Sequence, residues 1–170
     1  MTLSEAVELI KNKHLEKDTA QIWADLGCGN GLFSRALLSL LPESSQMYAV
    51  DQQVYPFEES NIHFIQADFV KQTPALPPLN GVLMANSLHF VADKLAFLEK
   101  IKLQLLPAGA FLLIEYDMRR GNPWVPYPLN FNAALDLFAQ AGFQSMGKVN
   151  EKPSLYNRAN IYSALFIKLD

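Results

Sequence analysis

Residues 23–42 read WADLGCGNGLFSRALLSLLP. A short apolar run ends beside an aspartate, glycines follow at alternate positions, and a stretch with helical spacing begins at once. The run has the length of a strand, so the glycines mark a tight strand-to-helix turn. Glycine reaches backbone angles closed to other residues and leaves its peptide groups bare. Gly27 is therefore read as the residue that makes the turn, and Gly29 and Gly31 as places where a ligand meets backbone.

The same alternation runs outward from this turn. QIWADLG (21–27), QMYAVD (46–51), IHFIQAD (62–68), GVLMANS (81–87) and GAFLLIEYD (109–117) each read as a strand. They are apolar almost throughout, as expected of a parallel sheet covered on both faces. LFSRALLSLL (32–41), DKLAFLEKIKLQLL (93–106) and LNFNAALDLFAQAGF (129–143) carry helical periodicity. Thr2 and Glu5 have capping-box spacing, so residues 1–18 are expected to hold a leading helix and a candidate lid. IYSALFIKL (161–169) alternates as a strand that FQSMGKVN (143–150) can pair with. Strands alternating with helices predict one doubly wound, Rossmann-like α/β domain over residues 1–170.

Two further acids accompany the turn. Asp51 closes the second strand and Asp68 the third, so three acids, with Asp25, stand at the ends of successive strands. Ligands of open α/β sheets bind at those carboxyl ends. A carboxylate at Asp51 suits a ribose diol, and the set suits a ligand with an adenine amine and a positive charge. Asp68 alone reads equally as a helix N-cap. A dinucleotide would bring a pyrophosphate to the turn, where the extra acid repels it, and the glycines are spaced G-x-G-x-G rather than G-x-G-x-x-G. S-adenosyl-L-methionine has no phosphate and is cationic, so the acids favour it over NAD. A Tyr-x-x-x-Lys pair is also missing, since Tyr116 is followed four positions later by Arg120.

ADLGCGNG resembles the first motif of the class I S-adenosylmethionine-dependent methyltransferases, with small-molecule members the nearest in kind. YAVD and IQADF resemble the second and third motifs, GVLMANSLHFV the fourth strand and its loop, and LLPAGAFLLIEYD the fifth. The likeness covers roughly residues 20–117. It implies a seven-stranded sheet, mostly parallel with an antiparallel last strand, and methyl transfer by in-line displacement. It also implies cofactor roles for Asp25 and Gly27 at the methionine amino group, with Cys28, Gly29 and Gly31 completing the turn. Asp51 would meet the ribose, Asp68 the adenine amine, and Asn86 the methionine side, with Gln52 on the adenine side. Phe69 would lie against adenine or pack in the core. QQVYPFEESN (52–61) and FVKQTPALPPLN (69–80) contain prolines and leave little room for helices, so the adenine-side helices are expected to be reduced.

The acceptor would approach the ends of the fourth and fifth strands. His89 is the candidate catalytic residue, as base, orienting contact or packing; Tyr116 stands beside it in this reading. The segment DMRRGNPWVPYPLN (117–130) offers Trp124 and Tyr127 as apolar walls and Arg119 or Arg120 for an acidic group. Residues 150–160 form a second acceptor-side loop, with Tyr156 and Arg158 as further candidates. The expected acceptor is a small molecule. The alternatives are a protein or RNA acceptor recognised through a partner, and a non-catalytic S-adenosylmethionine-binding subunit; a protein partner or homodimer also stays open.

Composition narrows these readings. Fourteen basic against 17 acidic residues give a net charge of −3, with no electrostatic footprint for direct nucleic-acid binding. One cysteine, Cys28, forms no internal disulfide, and no Cys/His cluster suggests a metal site. No apolar run reaches the roughly 20 residues that cross a bilayer, so a cytoplasmic location without membrane contact is expected.

Overall fold

The computed structural model describes residues 1–15, 18–72, 74–154 and 159–170. Its centre is a seven-stranded sheet in the order β3-β2-β1-β4-β5-β7-β6. Strands β1 (Ile22–Leu26), β2 (Gln46–Asp51), β3 (Ile62–Gln66), β4 (Leu79–Ala85) and β5 (Leu105–Tyr116) run parallel. Strand β7 (Asn160–Lys168) is antiparallel to β5 and to β6 (Phe143–Pro153). The strand order reverses between β1 and β4, which opens a crevice beyond their carboxyl ends.

Helices cover both faces. On one, α1 (Leu3–Ile10) and α2 (Leu32–Leu38) bury Leu9, Ile10, Phe33 and Leu37 against Trp23, Met47 and Leu112. On the other, α3 (Lys94–Lys102) and α4 (Phe131–Gln140) bury Leu98, Ile101 and Phe138 against Val82, Phe111 and Phe166. Successive β1 residues alternate between these faces, so Ala24 and Leu26 look toward α3 and α4 while Trp23 looks the other way. The Trp23 ring fits because its neighbour on β4 is Gly81; a Cβ there would lie 2.5 Å from the ring.

The caps explain where the helices begin. Thr2 and Glu5 form the reciprocal capping box, Asp93 accepts the Ala96 N–H, and Asn130 accepts the Ala133 N–H. The third helix stops short of its predicted end at 106. Leu105 pairs with Leu79 instead, so β5 starts four residues before Gly109. Among the described residues no helix lies between β2 and β3 or between β3 and β4, in keeping with the prolines there. The segment after β2 is held by other means: Phe57 lies under the Arg35 guanidinium, and Arg35 pairs with Glu59.

The leading helix packs on the sheet and is tied to it by hydrogen bonds. Asn150 Nδ2 donates to Glu8 O at 3.0 Å, Ser163 Oγ donates to Leu9 O, and Lys152 Nζ pairs with Glu5 at 2.8 Å. With Ala6, Leu9 and Ile10 buried beneath it, α1 is fastened to the sheet along its length.

Candidate functional site

The glycine turn fills the crevice at the strand reversal. Gly27, Gly29 and Gly31 all have positive φ, at 83°, 51° and 79°, so all three are required by backbone conformation. Their surroundings differ. A Cβ on Gly27 would lie 2.5 Å from Ser87 Cβ in the loop after β4, and one on Gly31 would collide with the Phe57 ring. Only Gly29 faces open space. Gly31 is thus covered by the chain itself and not left bare to a ligand, because the strap that replaces a helix after β2 brings Phe57 onto it.

Asp25 lies inside β1, one residue before its end, and is fully buried beneath the turn. Its Oδ2 accepts the Ser34 hydroxyl at 2.6 Å, while Oδ1 has no partner among the described residues. Burial pushes its pKa up to about 7, opposed by the Ser34 hydrogen bond and assisted by the nearby Asp51 charge. Cys28 is 7% exposed, and burial with the same two acids holds its thiol well above the ordinary range.

A cleft of about 120 Å³ opens between the turn, the ends of β2 and β3, and the loop after β4. Gly27, Asp51, Gln52, Asp68, Phe69 and Asn86 all line it, so the structure gathers six of the expected cofactor residues in one place. Asp51 Oδ2 accepts the Gly29 N–H at 3.0 Å and Oδ1 the Gln53 N–H at 2.9 Å, which fixes the carboxylate at the turn. Asp68 stands two residues beyond the end of β3, not at it. There it bonds the Val70 N–H through Oδ1 and pairs with Lys71 at 2.9 Å, and the Lys71 ammonium lowers its pKa. Phe69 touches Phe97 edge-on at 6.0 Å between centroids while also lining the cleft, so packing and lining coexist. Ser87 is a lining residue that sequence reading missed.

A second cavity, of about 320 Å³, lies between the ends of β4, β5 and β6. Its walls include Phe33, Tyr116 and Ile161, with Asn30, Lys152 and Ser154 as polar members. Asn86 lines both the cleft and this cavity. Its φ is 53°, an uncommon value for a residue with a side chain, and its buried Oδ1 has no partner among the described residues.

Of the expected acceptor residues that the structure describes, only Tyr116 reaches this cavity. Arg119 and Arg120 are exposed, Trp124 is 79% exposed, and Tyr127 rests against Lys94 with the ammonium 5.5 Å from its ring. The segment 117–130 turns away because Val125 and Leu129 are buried, Asp117 accepts the Phe131 N–H, and Tyr127 N donates to His89 O. Tyr156 and Arg158 lie outside the described residues. His89 is 2% exposed and lines neither the cleft nor the cavity. Its ring Nδ1 lies 2.8 Å from Glu115 Oε2, and its backbone N–H donates to Oε1 at 3.0 Å. That geometry gives no support to a general base and makes His89 a tie between the ends of β4 and β5. Among the described residues no group of three or more His, Cys, Asp or Glu side chains is placed to hold a metal. Nor is any helix there long and apolar enough to cross a membrane.

The strand order, the antiparallel last strand and the glycine turn at the reversal define a Rossmann-like fold of the class I methyltransferase type. The family model for a methyltransferase domain matches residues 24–113, and the chain belongs to that family of S-adenosylmethionine-dependent methyltransferases. Solved structures agree on the fold. The Burkholderia thailandensis 1,6-didemethyltoxoflavin-N1-methyltransferase, with bound 1,6-didemethyltoxoflavin and S-adenosylhomocysteine, superposes with a TM-score of 0.78 at 18% identity over 99% of this chain and 78% of that one. Human N-acetylserotonin methyltransferase in complex with S-adenosylmethionine gives 0.68 at 21% identity over 98% of this chain, which spans 51% of its length. An S-adenosylmethionine-dependent methyltransferase from Aquifex aeolicus gives 0.65 at 17% identity, over 99% and 100% of the two chains. No curated protein sequence matches the chain significantly.

The residues present fit the cofactor. Open space at Gly29, carboxylates at Asp51 and Asp68, and the orphaned Asn86 Oδ1 together offer bare backbone, acceptors and negative charge. A cationic nucleoside bearing N–H donors complements that set.

Proposed function

We propose that the methyl acceptor is a small molecule held in the cavity beyond the ends of β4 and β5. The carrying observation is that Asn86 lines both this cavity and the cleft that holds the cofactor-binding residues. S-adenosylmethionine supplies, when bound, a methyl group on a sulfonium. The chain's own part is to hold donor and acceptor in line, which alone can supply much of the rate. Asp51 takes the ribose hydroxyls, Gln52, Asp68 and Phe69 border the adenine, and the turn from Gly27 to Gly29 faces the methionine end. Asn86 Oδ1 accepts a hydrogen bond at the junction and so fixes one ligand against the other. The cavity's volume of about 320 Å³ suits a small molecule. The 1,6-didemethyltoxoflavin bound to the Burkholderia thailandensis enzyme supports the same reading.

Incubating the protein with S-adenosylmethionine and fractionated cell extract tests this. S-adenosylhomocysteine release is expected with the low-molecular-weight fraction. Release only with the protein or RNA fraction would overturn the small-molecule reading.

A further inference from the structure

The cleft and the cavity carry opposite charge. Asp51 and Asp68 line the first, whereas Lys152 is the only charged side chain lining the second among the described residues. Register puts Lys152 there. Strand β6 alternates between covered and open positions until its pairing with β7 shifts between Lys148 and Asn150. Past that irregularity Lys152 pairs with Ile161, itself a cavity wall, and Glu151 is exposed.

Lys152 is also held in place. Its Nζ lies 2.8 Å from Glu5 Oε1, and that ammonium lowers the Glu5 pKa to about 2. Glu5 does not line the cavity, and its Oε2 accepts the Thr2 N–H at 2.7 Å through the capping box. The acid therefore keeps a partner if Lys152 turns its remaining donors to a ligand. Lys152 thus borders a cavity walled by Phe33, Tyr116 and Ile161, and an ammonium with three donors, one of them on Glu5, suits an anionic group on a largely apolar body.

We propose that Lys152 selects the acceptor, and that the acceptor is a carboxylate-bearing, mostly apolar small molecule. This rests on the cavity being the acceptor site. An anion there meets the Lys152 ammonium on one side and the cationic donor on the other, while the acids stay on the cofactor side. A neutral analogue of the same shape loses the Lys152 contact and leaves the ammonium to Glu5 alone.

The test uses the whole chain loaded with S-adenosylhomocysteine, and matched probes read by ligand-observed NMR: benzoate with benzamide, 2-hydroxybenzoate with 2-hydroxybenzamide, nicotinate with nicotinamide. Carboxylates are expected to bind about tenfold tighter than their amides, the scale of one charge-assisted hydrogen bond. Lys152→Met abolishes that preference and Lys152→Arg keeps it. Glu5→Gln, which preserves the cap while freeing Lys152, keeps or increases it. A residue that merely fastens α1 would give Lys152→Met and Glu5→Gln the same effect on acid and amide alike, and that result overturns the proposal. So do carboxylates that bind no better than amides, or not at all. Failure of the unmodified protein to bind S-adenosylhomocysteine is read separately by calorimetry, and it would bring down the cofactor site before Lys152 is at issue.

Discussion

Glu115 accepts the backbone N–H of His89 at 3.0 Å and meets its ring Nδ1 at 2.8 Å, with both side chains buried where β4 and β5 end. The Tyr116 N–H, at 3.3 Å, adds a third donor to the same carboxylate. A buried carboxylate that loses its ring partner is costly, because the charge cannot return to water. His89→Phe is expected to lower the unfolding free energy by about 2–4 kcal/mol. The double variant with Glu115→Gln should cost less than the sum of the two singles. Urea unfolding of the four proteins checks this; strict additivity would show that the two residues do not act as a pair.

Asp25 makes stability depend on pH. Its pKa in the folded chain is about 7, mainly through burial, against about 3.9 for an unfolded aspartate. Between those values the folded state binds more protons than the unfolded state, so stability falls as pH rises through this window and levels off above 7. The loss is on the order of 4 kcal/mol. Asp25→Asn removes the titration while leaving an oxygen to accept the Ser34 hydroxyl, so this variant should surpass the parent at pH 8 and lack the decline. Thermal unfolding across pH measures both curves.

The glycines should separate under substitution. Gly31→Ala meets both a positive φ and the Phe57 ring, so a stability loss of about 2–3 kcal/mol is expected with little change in affinity beyond it. Gly29→Ala meets open space and should cost only about 1 kcal/mol in stability. Its Cβ meets nothing within 4 Å among the described residues, so S-adenosylhomocysteine affinity is expected to fall instead. Calorimetry alongside urea melts distinguishes the two; equal affinity losses would contradict this division.

Asp51 holds the turn, and the proposed site gives it the ribose as well. Removing its carboxylate breaks the bonds to the Gly29 and Gln53 N–H groups. Asp51→Ala is expected to weaken S-adenosylhomocysteine binding by about 1–3 kcal/mol and to lower stability by about 1–2 kcal/mol. Unchanged affinity by calorimetry would remove it from the ribose role.

Cys28 should be chemically silent. Burial and the neighbouring Asp25 and Asp51 charges disfavour its thiolate, the form that reacts. Native protein at pH 8 is expected to resist iodoacetamide, with alkylation seen by mass spectrometry only after denaturation.

The pattern of short apolar runs is enough to place β1, β2 and β4, because buried parallel strands are apolar on both faces, whereas the antiparallel last strand is expected from the family resemblance alone. Of the three acids expected at strand ends, Asp51 closes its strand, whereas Asp25 sits one residue before the end of β1 and Asp68 two residues beyond β3. What local pattern could not carry was coverage. Gly31 looks like Gly29 in the sequence, and only the tertiary path of residues 52–61 brings Phe57 over one and not the other. Trp124 and Tyr127 had the composition of a binding wall, yet the anchoring of Val125 and Leu129 turns their segment outward. Lys152 falls in the segment 150–160 expected as an acceptor-side loop but is not singled out there, because nothing in its residue types shows that β6 runs on to Pro153 past an irregularity in its pairing. Asn30, inside the glycine turn, was visible but carried no signal separating it from an ordinary turn residue.

Asn86 has a further consequence for how such a chain can diversify. Its left-handed backbone admits asparagine, glycine and few others without strain. In the proposed arrangement the partition between cleft and cavity is therefore nearly closed to change. On that reading new acceptors would be accommodated at the other walls, where Met1, Lys152 and Ser154 lie outside the glycine turn.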